Sequence, residues 1–158
     1  MKVATRKVIK ARKDYRTLLK LLRQNPGIHY REMVRISGLG YGTLERQLAM
    51  LERLSLLRAH IAGGFTRYYN SDVSKTDMEL LYYLKQRAYG EIIRLLLDDA
   101  GSSFTFQEIV QMIGKAPSTV SVQLRRLIDH KLVSFDEKHS YTVNNKQTIK
   151  RLISKYKV

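Results

Sequence analysis

Apolar residues recur at helical spacing within the first third of the chain. Leu44, Leu48 and Leu51 stand at i, i+4 and i+7 and form one stripe. Ahead of them Met33, Val34 and Ile36 lie on a shorter pattern, and Gly38, Leu39 and Gly40 separate the two. Two helices joined by a short Gly-containing turn make the helix-turn-helix pattern. At about 100° per residue, Gly42, Arg46, Ala49 and Arg53 point away from the stripe and are left to face a partner.

The same pattern returns. Shifted by 76 positions, residues 107–133 lie over residues 31–57 without a gap. Glu32 falls on Glu108, Val34 on Val110, Gly38 on Gly114, Thr43 on Thr119, Gln47 on Gln123, Leu48 on Leu124, Leu51 on Leu127 and Leu56 on Leu132. The apolar group Leu18, Leu19, Leu21 and Leu22 lies over Ile92, Ile93, Leu95 and Leu96, with the second loop longer by two residues. Two copies are too few for a solenoid, so the repeat predicts two sister domains.

Taken in order, residues 1–14 are a basic arm, suited either to reach a DNA groove or to begin a longer helix. A helix over 15–24 stops at Asn25-Pro26-Gly27. His29 stands at the next N-cap with Glu32 three residues on; it is a weak capper or a phosphate contact at a helix N-terminus. In the second copy Thr105 and Glu108 form a proper capping box. Residues 56–61 and 65–70 read as strands around Ala62-Gly63-Gly64, a hairpin wing carrying Arg58, His60 and Arg67. Thr76-Asp77-Met78-Glu79 predicts a capping box opening a linker helix, and Gly90 either breaks the following run or is tolerated in it. Tyr82, Tyr83 and Tyr89 are read as packing between domains or between chains, in preference to base stacking. Pro117 sits at the first position of the second copy's second helix. A shorter wing follows over 132–135 and 140–143, with residues 136–139 at its tip. The last helical pattern places Ile149, Leu152, Ile153 and Tyr156 on one face, to be buried on the linker helix or on a second chain.

The predicted fold class is mainly α with small β-wings (α+β): two tandem winged helix-turn-helix domains joined by a linker helix. The expected spans are 1–14 for the arm, 15–72 for the first domain, 73–88 for the linker helix, 89–144 for the second domain and 145–158 for a C-terminal amphipathic helix.

Charge narrows the function. Twenty-nine Lys and Arg against 14 Asp and Glu leave a net charge of +15, which favours a polyanionic partner. The chain has no cysteine, which excludes disulfides, thiolate metal sites and cysteine nucleophiles. His29, His60, His130 and His139 are scattered, so neither a metal nor a cofactor is expected. No stretch is apolar enough to span a bilayer, and the basic N-terminus lacks the apolar run of a secretory signal. A cytoplasmic, nucleoid-associated protein is the expectation, with no membrane partner.

The strings NPGI, LERLSLL and RYYN of the first copy, and APSTVSVQLRRLIDHKLV of the second, resemble the winged helix-turn-helix regulators of the MarR and ArsR type, most closely their archaeal forms. The resemblance covers residues 15–70 and 89–144. It implies double-stranded DNA binding through the second helix of each motif, about 41–54 and about 117–130, in major grooves, with the wings on the backbone or minor groove. The departures are Gly42 and Ala49 at outward positions of the first recognition helix, and the absence of the Cys and His clusters of metal-sensing relatives.

The expected function is therefore sequence-specific transcriptional regulation. Arg46 and Arg125 would reach guanine edges or phosphates, and Tyr41, Thr43, Arg53, Ser118, Thr119, Ser121 and Gln123 would add contacts. Gln47 and Gln123 adjoin the core stripe, so packing at its rim is their other reading. Arg58, His60, Arg67, Lys115, Arg126 and Lys138 would hold phosphates. The alternative is a non-specific architectural DNA-binding protein, or a winged-helix adaptor of transcription or replication machinery. Catalysis is not expected, because no convergent titratable groups or phosphate loop occur. A homodimer through the linker or C-terminal helix is a further expectation.

Overall fold

The structure is a computed structural model and describes residues 15–98 and 103–158. The expected basic arm, 1–14, and loop residues 99–102 lie outside the described residues. The chain divides into two compact units, Met1–Glu79 and Leu80–Val158.

In the first unit, helical residues 15–24 (α1) precede β1 (Ile28–His29), α2 (Tyr30–Ser37), α3 (Tyr41–Arg53), β2 (Leu57–Ala62) and β3 (Phe65–Asn70). The stripe Leu44, Leu48 and Leu51 joins Leu18, Leu22, Ile28, Met33 and Leu57 in one core, as the helical spacing predicts. The three strands form an antiparallel sheet in the order β1-β3-β2, with Ile28 opposite Tyr68 and Leu57 opposite Asn70. Arg67 donates from Nε to the Ala62 carbonyl (3.2 Å) and from a terminal nitrogen to the Gly27 carbonyl (3.1 Å), tying β3 to the loop before β1. Tyr69 is fully buried and donates its hydroxyl to the Met78 carbonyl.

Helix α4 (Lys75–Lys85) opens on Ser74, whose hydroxyl accepts from the Asp77 N–H at 3.1 Å. The expected cap at Thr76 is corrected: Thr76 is inside the helix, because Ser74 stands three residues before a usable N–H.

The second unit continues with α5 (Arg87–Leu97), β4 (Phe104–Thr105), α6 (Phe106–Ile113), α7 (Pro117–Asp129), β5 (Val133–Phe135), β6 (Ser140–Val143) and α8 (Lys146–Tyr156). Its sheet has the order β4-β6-β5, matching the first unit strand for strand. Gly38 and Gly114 close α2 and α6 in the same left-handed conformation, and Ser55 and Lys131 share a positive φ before the first wing strand. The core takes Ile92, Ile93, Leu96, Ile109, Val120, Leu124 and Leu127.

The helical run breaks at Gln86, four residues before Gly90. Gly90 lies inside α5 for a different reason: a Cβ there would sit 2.5 Å from the Leu84 carbonyl oxygen. Arg94 reaches back to that same carbonyl at 3.4 Å. Tyr83 is buried, with Tyr82, Tyr89 and His130 each about 5 Å from its ring; these contacts lie within the second unit, whereas the expectation is packing between domains or between chains. Ile149 and Leu152 of α8 are fully buried within the chain, and Ile153 and Tyr156 of the same stripe are half-buried.

Candidate nucleic-acid interface

Each unit holds two helices whose N-termini differ in charge. The N-terminus of α2 is capped by the His29 ring nitrogen accepting from the Glu32 N–H (3.3 Å), with the Glu32 carboxylate in the first turn. That gives His29 the capping role rather than the phosphate one. In α6, Thr105 and Glu108 cap each other, and the backbone N–H of Thr105 holds the Glu108 carboxyl below the usual glutamate range. Helices α3 and α7 have neither feature. Gly40 and Ala116 offer no side-chain cap, and no acidic residue stands in either first turn. The positive ends of these two helix dipoles therefore carry neither a side-chain cap nor a first-turn carboxylate of their own, and Pro117 opens α7 without an N–H.

Helix α7 presents Ser118, Thr119, Ser121, Val122, Arg125 and Arg126 as exposed residues, opposite buried Val120, Leu124 and Leu127. Helix α3 presents Tyr41, Thr43, Arg46 and Arg53, with Tyr41 65% exposed. The Tyr41 carbonyl is held by the Tyr30 hydroxyl at 2.9 Å, which fixes the entry to the helix.

Gln123 is corrected. It is buried, only 8% exposed, and its Oε1 has no hydrogen-bond partner among the described residues. The matching Gln47 is buried with the same orphaned oxygen. Both lie at the edge of the apolar stripe, so the helix turns them inward rather than towards a base.

Several cations expected on phosphates already hold internal partners. The Lys115 ammonium sits 2.6 Å from the Glu91 carboxylate, which Arg87 also meets at 3.0 Å. These two hydrogen bonds, that of Lys115 first, hold the Glu91 carboxyl below its ordinary range. Arg126 donates to the Tyr89 hydroxyl at 3.2 Å, which raises its guanidinium pKa further. Arg67 spends its donors on backbone carbonyls, as described above, and is half-buried. Arg58 is exposed and reaches the Val73 carbonyl at 3.5 Å, and His60 is half-buried on the same strand. Lys138 is exposed at the tip of the second wing, where the Asp136 carboxylate accepts from the N–H groups of Lys138 and Ser140 and shapes the turn.

Three features escaped the sequence reading. The first wing ends in exposed Ile61 and Phe65, an apolar tip whose alternation along the strands was visible. Glu45 and Glu52 are exposed on α3, on a face distinct from Arg46 and Arg53. Tyr30 and Tyr68 line a concavity beside them. Among the described residues, no group of three or more His, Asp or Glu is placed to hold a metal ion, and no helix is long and apolar enough to cross a membrane.

Residues 91–134, from α5 to the start of β5, match the family described as bacterial regulatory protein, arsR family. An uncharacterized HTH-type transcriptional regulator of Methanocaldococcus jannaschii is 29% identical over 112 residues, which are 71% of this chain and 28% of that relative. The chain therefore spans little more than a quarter of the relative's length. The exposed helices, their uncapped N-termini and these two similarities together support a winged helix-turn-helix with a DNA-binding role in transcription regulation.

Proposed function

We propose that the chain is a sequence-specific, double-stranded DNA-binding transcriptional regulator made of two winged helix domains in tandem. Helices α3 and α7 enter major grooves and the two hairpins lie on the adjacent backbone. The observation that carries this reading is the exposed face of α7: Ser118, Ser121 and Arg125 project beyond a closed apolar core, behind a helix N-terminus with no side-chain cap and no first-turn acid. Serine hydroxyls pair with bases or phosphates, and arginine pairs bidentately with guanine. The first helix adds Tyr41, Thr43, Arg46 and Arg53. Backbone positioning falls to Arg58 and Lys138, with Lys115, Arg126 and Arg67 acting chiefly inside the protein because each is already engaged.

Selection from a random duplex pool, repeated across a salt series, tests the reading. Enrichment of one motif supports a specific regulator. Tight, steeply salt-dependent binding without enrichment favours the architectural alternative that the net charge of +15 equally suits. No binding at moderate salt removes DNA as the partner.

A further inference from the structure

Helix α3 has a side that runs between its core stripe and its basic face. Tyr41, Glu45, Leu48, Ala49 and Glu52 stand at i, i+4, i+7, i+8 and i+11 and fall on one side of the helix. Together with Tyr30 at the start of α2 and Tyr68 of β3, they line a concavity of about 500 Å³ within the first unit. Its walls are three tyrosine rings, two of them (Tyr30 and Tyr41) with centroids 6.0 Å apart, and among the described residues its charged lining is two carboxylates.

These carboxylates are not explained by helix salt bridges. The residues three and four positions from Glu45 are Tyr41, Gly42, Leu48 and Ala49; those around Glu52 are Leu48, Ala49, Ser55 and Leu56. None is basic, so neither glutamate has the neighbour that normally accompanies an exposed helical acid. Among the described residues neither forms an ion pair. Arg46 and Arg53 lie on the adjacent outward face.

The internal repeat supplies a control. At the positions of Tyr30 and Tyr68 the second unit has Phe106 and Tyr141, each in the matching place in its sheet and helix. At the positions of Glu45 and Glu52 it has Ser121 and Ile128. The walls made by Tyr30 and Tyr68 thus belong to the fold, whereas Tyr41, whose counterpart is Pro117, and the paired carboxylates are peculiar to the first unit.

Glu45 and Glu52 are seven residues apart, about 10 Å along the helix axis. That spacing is too wide for both to ligate one hard metal ion, whose oxygen ligands must converge to about 2–2.6 Å. It matches the reach of an extended organic polyamine. Aromatic faces attract ammonium groups, and the apolar floor of Leu48 and Ala49 suits the methylene chain between them. We propose that this concavity binds a linear polyamine, with its ammonium groups on Glu45 and Glu52 and its chain across Leu48, Ala49 and the tyrosine rings. The positive charge of the chain opposes such a ligand, Arg46 and Arg53 most closely; at physiological salt the repulsion from cations beyond about 8 Å is screened. The neighbouring charge is also felt by the phenols: Tyr68, desolvated and facing Glu52, and Tyr30, desolvated and facing Glu45, both have raised pKa values. The site shares Tyr41 with the proposed DNA-facing surface of α3, goes beyond the DNA-binding reading and does not depend on it.

The test is calorimetric titration of spermidine into the full chain without nucleic acid, with amide NMR shifts recorded in parallel. The expected result is one site, with shifts confined to residues around Tyr30, α3 and Tyr68. Glu45→Gln and Glu52→Gln should each weaken it about tenfold or more, while Glu137→Gln, which removes the same charge from the exposed second wing tip, leaves it unchanged. Butylamine, with one ammonium, should bind correspondingly more weakly, and magnesium at equal ionic strength should leave the shifts unaltered. The proposal is overturned by no binding at about 1 mM spermidine, by equal losses in all three variants, or by magnesium reproducing the shifts. Tighter binding of tetralysine than of spermidine would also overturn it, assigning the groove to a basic polypeptide instead.

Discussion

The Lys115 ammonium lies 2.6 Å from the Glu91 carboxylate and fastens the turn between α6 and α7 to α5. Arg87 completes the arrangement from one turn earlier on α5. The pair sets the position from which α7 starts.

The pair makes stability pH-dependent with a definite sign. The Glu91 carboxyl is held below its usual range, first by the Lys115 hydrogen bond and then by that of Arg87. A carboxyl with a depressed folded pKa contributes stability above the unfolded value, about 4.3, and loses it as pH falls through the folded value. Glu108 in the α6 capping box has the same sign. Urea midpoints of the wild type should therefore exceed those of Glu91→Gln at pH 7, and the two curves should converge below about pH 4.3. Curves that stay parallel through that window would rule the linkage out.

Gly90 gives a prediction from packing. Replacing a helical glycine by alanine normally gains up to about 1 kcal/mol. Here the new methyl would meet the Leu84 carbonyl at 2.5 Å, and a backbone oxygen has no rotamer to escape into. Gly90→Ala should lower stability by roughly 1–3 kcal/mol, the cost of overpacking a closed site. A raised denaturation midpoint would show that α4 and α5 have room to separate.

These sites show where the sequence was readable and where it was not. The paired helices and the small antiparallel sheet of each unit agree with the sequence pattern, because Leu44, Leu48 and Leu51 and their partners Val120, Leu124 and Leu127 are local signals that the fold obeys. The Gln86 break was hidden: Gly90 looked like the weak point, yet its missing Cβ serves a close approach to a carbonyl six residues back. The engagement of Lys115 and Arg126 was hidden as well. Their partners Glu91 and Tyr89 are 24 and 37 residues away, beyond the reach of any helical period. Gln123 sits one step from the stripe, where periodicity alone leaves inward and outward both open, and packing turned it in.

Gln123 now tests its own correction. Its buried Oε1 lacks a partner among the described residues, and leaving a buried acceptor unsatisfied costs about 1–3 kcal/mol. Gln123→Leu should leave the stability unchanged or raise it, by up to about that amount, and should leave DNA affinity intact. A loss of affinity with an unchanged denaturation midpoint would return Gln123 to the contact surface.

The reading face itself is tested at Arg125 and Arg46. Both are exposed, on α7 and α3, and neither has an internal hydrogen bond or ion pair among the described residues. A bidentate arginine–guanine contact discriminates by about 1–3 kcal/mol, whereas a phosphate contact weakens all sequences alike. Arg125→Ala and Arg46→Ala should therefore each lower affinity for the selected site by about tenfold or more, and affinity for random duplex by much less. Arg126→Ala behaves differently, because its guanidinium is tied to the Tyr89 hydroxyl: part of its effect should appear as a lower denaturation midpoint. Binding isotherms on selected and random duplexes, at one salt concentration, separate the two outcomes. Equal losses on both duplexes would mean that Arg125 and Arg46 touch only the backbone, and sequence preference would then have to come from Ser118, Ser121, Tyr41 or the shape of the DNA.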